Sequence, residues 1–127
     1  MVRPRARDLT ERELQLMHVY WRHGSATAAE ARDRLAVDGP DLAYTTVATL
    51  VRILHDKGFL RQVNDEKPFV YEACQTYEAV SGRLLGDVID RVFGGSREDL
   101  LVRLVGQRKL TPAERAALVA LLEEHDA

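Results

Sequence analysis

The chain has 127 residues, the size of one domain or of a small domain with an appendage, and at 46% hydrophobic and 30% charged it has the composition of an ordinary globular protein. No apolar run approaches the roughly 20 residues that span a bilayer, and no apolar segment follows the basic residues of MVRPRARDLT, so the expectation is a cytoplasmic protein with neither a membrane span nor a secretory signal. A net charge of −2 shows no basic excess, and a single cysteine excludes a disulfide scaffold.

The first helix opens on a capping box, Thr10 with Glu13 three residues on, and ends at His23 before Gly24. Leu14, Met17 and Trp21 share one face with Leu16 and Tyr20 beside them, and Met17 and Trp21 are expected in the core. A second box, Thr27 with Glu30, opens a helix whose thin stripe of Ala28, Ala31 and Leu35 ends before VDGPDLA. The Gly39-Pro40 pair breaks it. In AYTTVATLVRILHDKG, Val47, Leu50, Val51 and Leu54 recur at the spacing of a helix that buries one stripe, and Gly58 stops it. The opposite face carries Thr45, Thr49, Arg52 and Asp56, although an exposed β-branched residue costs on the order of 0.5 kcal/mol in helix propensity. Stability alone does not explain those threonines.

Two β-favouring runs follow, 59–63 and 69–73, around the polar turn Asn64-Asp65-Glu66-Lys67, with Pro68 at a strand start or edge and Cys74 expected as a small buried hydrophobe on a strand. Three helices and then a hairpin is the order of a winged helix-turn-helix, in which the third helix enters a DNA major groove and the hairpin lies beside it. The fold class expected is therefore mainly α with a small β-hairpin, a winged helix over 1–75 followed by a helical dimerisation tail over 76–127.

In the tail, Val80, Leu84, Val88 and Val92 recur every four residues with Leu85, Ile89 and Phe93 in a second row, a face too wide for one contact. FGGSRED breaks this helix, DLLVRLVG makes a short apolar one, and a last helix opens at Thr111-Pro112 with Glu114 and carries Leu118, Leu121 and Leu122. Pairing with a second copy is the simplest way to cover so much apolar surface. His18, His23, His55 and His125 show no metal-ligand spacing, and there is no phosphate loop or nucleophile elbow, so no metal, cofactor or enzymatic activity is expected.

LTERELQLMHVYW, AYTTVATLVRILHDKGFL and KPFVYEA, with the spacing between them, resemble the penicillinase-repressor family, which includes β-lactamase, methicillin-resistance and copper-responsive repressors. The resemblance implies a homodimeric repressor on a palindromic operator, with Thr45, Thr46, Thr49 and Arg52 in the major groove. In some members a membrane metalloprotease sensor, directly or through a downstream protease, triggers cleavage after an Asn in the short tail helix. Arg103, followed by Leu104, stands at that position here. The copper-responsive members carry paired cysteines near the C-terminus, and LLEEHDA has none.

Each candidate also has a plainer use. Thr45 or Thr46 can cap the third helix, and Arg52 can pair with Asp56. Tyr44 can pack at the helix start or reach a phosphate. Arg61 and Lys67 on the hairpin suit phosphates, though a wing lysine is as often only solvated, and Arg3, Arg5 and Arg7 form an arm that can follow DNA. Two rival functions remain open at this stage, a ligand-sensing winged-helix regulator of another class and a winged helix used for protein interaction.

Overall fold

The computed structural model describes residues 9–107 and 110–126, and Arg3, Arg5 and Arg7 lie outside them. In chain order the elements are α1 (Glu11–His23), β1 (Ala26–Thr27), α2 (Ala28–Asp38), α3 (Tyr44–Asp56), β2 (Leu60–Gln62), β3 (Val70–Ala73), α4 (Tyr77–Val92), α5 (Arg97–Gln107) and α6 (Pro112–Asp126). The chain divides into two compact units between Ser81 and Gly82, six residues beyond the boundary expected from the sequence.

Local chemistry fixes the helix starts. Both expected boxes close: Thr10 Oγ1 accepts from Glu13 N while Glu13 Oε1 accepts from Thr10 N, and Thr27 and Glu30 do the same on α2. Gly24 follows α1 at a φ of 83°, a left-handed conformation that glycine adopts without strain. α2 runs through Val37 and Asp38, past the end of its apolar stripe, and stops at the expected Gly39-Pro40 break.

The hairpin belongs to a three-stranded antiparallel sheet, order β1-β3-β2, in which Ala26 pairs with Tyr71 and Thr27 with Val70. The added strand is the residue pair leading into α2. Across β2 and β3 the register sets Arg61 opposite Glu72. Asn64 organises the turn between them: its side-chain nitrogen donates to Glu66 O and Pro68 O, and its oxygen accepts from Val70 N. Pro68 sits in this turn rather than at a strand start.

The core of the first unit is Leu16, Met17, Tyr20, Ala31, Leu35, Val47, Val51, Leu54, Phe59 and Leu60, so all three helices and the sheet contribute to one interior. Leu50 is half-buried at the edge of the α3 stripe. Burial pushes the Tyr20 phenol far above its ordinary pKa, with Tyr71 adding to the effect, and its neutral hydroxyl donates to Ala26 O at 3.4 Å. Two expectations fail. Trp21 is half-buried, held where its indole N–H reaches Gln75 O at 2.9 Å. Cys74 falls one residue past β3 and is exposed, its sulfur 3.1 Å from Gly58 O.

In the second unit α4 continues to Val92, a turn over Phe93–Ser96 leads to α5, and α6 opens on Thr111 and Glu114 paired in a third capping box. None of the described residues of α5 and α6 is buried.

Candidate nucleic-acid interface

The residue before α3 is Ala43, extended at φ −65° and ψ 151°, and no side chain caps the helix. Tyr44, Thr45 and Thr46 are its first three helical residues, which removes the capping explanation for either threonine. The orphan backbone N–H groups of this turn therefore keep no side-chain acceptor from the cap position. Thr45, Thr46, Thr49, Arg52 and Asp56 are exposed, on the side opposite the buried Val47, Val51 and Leu54.

Thr49 uses its hydroxyl within the helix, donating to Thr45 O at 2.9 Å. Its methyl group and oxygen lone pairs remain at the surface. Arg52 makes no ion pair with Asp56 among the described residues; Asp56 instead lies 3.6 Å from His55 Nδ1. A guanidinium with five donors thus stands on the outward face of α3.

The wing is joined to this helix on its other flank, where His55 and Tyr71 meet ring to edge with centroids 5.8 Å apart. Tyr44, Ala48 and Val51 of α3 line a hollow of about 480 Å³ with Ala28 of α2 and with Lys67, Phe69 and Tyr71 of the wing. Tyr44 and Lys67 therefore flank one feature between helix and wing. Arg61 is engaged: its Nε donates to Glu72 Oε2 at 2.6 Å and its Nη2 donates to the same oxygen. It reaches a phosphate only by sharing or leaving that carboxylate.

One contact beneath the site has no counterpart in the sequence expectations. Lys57 Nζ donates to Glu13 Oε1 at 2.8 Å, joining the C-terminal end of α3 to the first turn of α1. A signal for it exists. Glu13 precedes Leu16, Met17 and Tyr20 by three, four and seven residues, so its carboxylate falls inside the buried stripe of α1 and needs a buried partner.

The residues expected to pair two copies divide between the units. Val80 is 1% exposed in the first unit, so its side chain is already packed within one chain and is not free to meet a second. Leu85, Val88, Val92 and Leu121 are exposed, Leu84, Ile89 and Leu118 are half-buried, and the side chain of Leu122 lies outside the described residues. Arg103 and Leu104 are exposed inside α5, on hydrogen-bonded helical backbone. No described helix is long and apolar enough to cross a membrane.

An exposed polar helix face flanked by a β wing is the arrangement of a winged helix-turn-helix. The chain belongs to the penicillinase repressor family, whose model matches residues 9–124. It is 22% identical over 117 residues to the methicillin resistance regulatory protein MecI of Staphylococcus aureus strain N315, covering 92% of this chain and 94% of that protein. The protein of the same name from Staphylococcus epidermidis matches to the same extent, 22% over 117 residues, with 92% and 94% covered. Among solved structures, the oxidized form of MarR from E. coli matches with a TM-score of 0.46 at 19% identity, over 94% of this chain and 77% of that one. Family membership makes the protein a DNA-binding transcriptional regulator of the winged-helix repressor type.

Proposed function

We propose that the protein is a homodimeric, sequence-specific repressor that lays α3 in the major groove of a palindromic operator. Thr45, Thr46, Thr49 and Arg52 face the bases, and Tyr44 and Lys67 meet the backbone beside them. The carrying observation is the outward face of α3: an arginine outside any ion pair among the described residues and threonines that do not cap the helix, on a helix whose other side is packed. Arginine is suited to bidentate contact with guanine and a threonine methyl to thymine. The Arg61–Glu72 pair stiffens the wing and meets DNA only secondarily. The exposed apolar residues of α4 to α6 support pairing of two copies, which sets two heads on two half-sites. Cleavage between Arg103 and Leu104 requires α5 to open first, because proteases take extended backbone.

Binding of fluorescent DNA from upstream of the gene, over a salt series, tests this. Wild type is expected to prefer one fragment over scrambled DNA, with affinity falling as salt rises. Arg52→Ala is expected to reduce that preference by about tenfold or more, in line with the roughly 1–3 kcal/mol that one good base contact discriminates. Equal weakening on both DNAs would reassign Arg52 to phosphate. A wild-type protein that selects no sequence from a genomic library would overturn the proposal.

A further inference from the structure

The Glu13–Lys57 pair sits at the end of α3 farthest from the residues that begin its exposed face. Its side chains are 5% and 17% exposed, and the Glu13 oxygen that accepts from Lys57 Nζ also accepts from Thr10 N at 2.9 Å. Glu13 stands in the first turn of α1 and Lys57 follows the last turn of α3, so each charge has the sign its own helix end favours. Around Lys57 the backbone is pinned as well: Lys57 N donates to Ile53 O, Phe59 N to Leu54 O and Cys74 N to Phe59 O, while the Gln75 side chain donates to Gly58 O. The opposite end of α3 has no side-chain cap. Val47 packs the N-terminal half of α3 into the core, but these polar ties between α3 and its neighbours gather at its C-terminal corner.

Cohesion does not require ions at such an anchor. Desolvating two charges offsets much of their attraction, and an apolar pair of similar volume often holds a core as well or better. What the ion pair adds is geometry. A charge-assisted hydrogen bond weakens within a few tenths of an ångström and with angle, whereas apolar side chains tolerate sliding. Thr45 lies about 18 Å along the helix axis from Lys57 and Arg52 about 7.5 Å. A tilt of about 5° at the anchor therefore moves Thr45 by about 1.5 Å and Arg52 by about 0.7 Å. The first is enough to break a contact to a base edge.

We propose that Glu13 and Lys57 are positioning residues that aim α3, setting operator discrimination without touching DNA. The inference rests on α3 being the DNA-reading helix. Its test is the full-length double variant Glu13→Gln/Lys57→Met, which removes both charges together and keeps a side-chain oxygen at position 13 for Thr10 N, compared with Lys57→Arg, which keeps a cation on Glu13.

The double variant is expected to unfold at the same denaturant concentration as wild type or higher, and to bind scrambled DNA with unchanged affinity and salt slope. Its preference for the operator is expected to fall at least about tenfold, the scale of one lost base contact. In a randomised-operator selection, preference is expected to fade most at the base pairs that also respond to Thr45→Ala and least at those that respond to Arg52→Ala. Lys57→Arg is expected to keep preference within about threefold, well inside one base contact. A folded double variant with wild-type preference overturns the inference. A double variant that does not fold overturns it too, since the pair would then serve stability. A wild-type protein without operator preference instead overturns the reading of α3, and the two failures are told apart by that control.

Discussion

The winged-helix unit and the helical unit after it use similar residues to different ends. In the first, Leu16, Met17, Val47, Leu54 and Phe59 are all buried in one interior. In the second, Val92 is 69% and Val102 64% exposed, with Leu104, Val105 and Leu121 also open. A lone chain rarely leaves so many large apolar side chains uncovered unless another surface takes them. The first unit buries its large apolar side chains within itself, the second leaves many of them open, and we propose that a second copy covers them.

The largest effect that sharpens this contrast is in the head. Leu54→Ala removes a fully buried side chain of α3, and is expected to cost about 3 kcal/mol in urea unfolding, within the range for such cavities. Val102→Ala, on an exposed site, should cost far less at concentrations too low for pairing. Equal losses would erase the distinction between the units.

The next effect concerns association. Val102→Asp puts a charge on the exposed apolar face of α5, where burial against a partner would leave it unpaired. Sedimentation equilibrium is expected to show a dimer dissociation constant raised at least about tenfold, because an unpaired buried charge costs more than one factor of ten. Operator affinity should fall with it while the urea midpoint of the head stays put. A variant that remains a dimer would move the pairing surface to another face of the tail.

The same contrast governs what could be read from the sequence. Features made by neighbours in the chain were legible: three capping boxes at i and i+3, the buried stripe of α3, and the hairpin strands to within a residue or two. Features made by distant partners were not. β1 is two residues long and is a strand only because β3 lies beside it. The hydrophobicity of Trp21 points to the core, yet its N–H is drawn to Gln75 O, 54 residues away. Of the interface, the outward face of α3 followed from periodicity alone. That Thr45 and Thr46 do not cap, that Glu72 holds Arg61 and that Lys57 meets Glu13 depend on the helix start, the strand register and a contact across 44 residues. Val80 belongs to the tail by periodicity and to the head by packing, because α4 begins on the first unit.

The smallest expected effect is the response of one helix cap to acid. A Thr/Glu box opens a helix in each unit, Thr27 with Glu30 on α2 and Thr111 with Glu114 on α6. The Glu30 carboxyl is held below the usual glutamate range, chiefly by the Thr27 backbone N–H, which desolvation partly opposes, with the Thr27 side chain and the nearby Arg34 adding smaller lowering effects. A lowered pKa in the folded state means that the unfolded chain binds the proton more readily. The stability Glu30 confers is therefore complete above the ordinary glutamate value of about 4.3 and drains away as pH falls through the lower folded value. Glu30→Gln keeps a side chain able to close the box but nothing to titrate. Its thermal midpoint is expected to lie slightly below wild type at pH 7 and to converge with it on acidification, with no change in sedimentation. A gap that stays constant from pH 7 to pH 3 would mean that the shape of the cap, and not its charge, is what α2 needs.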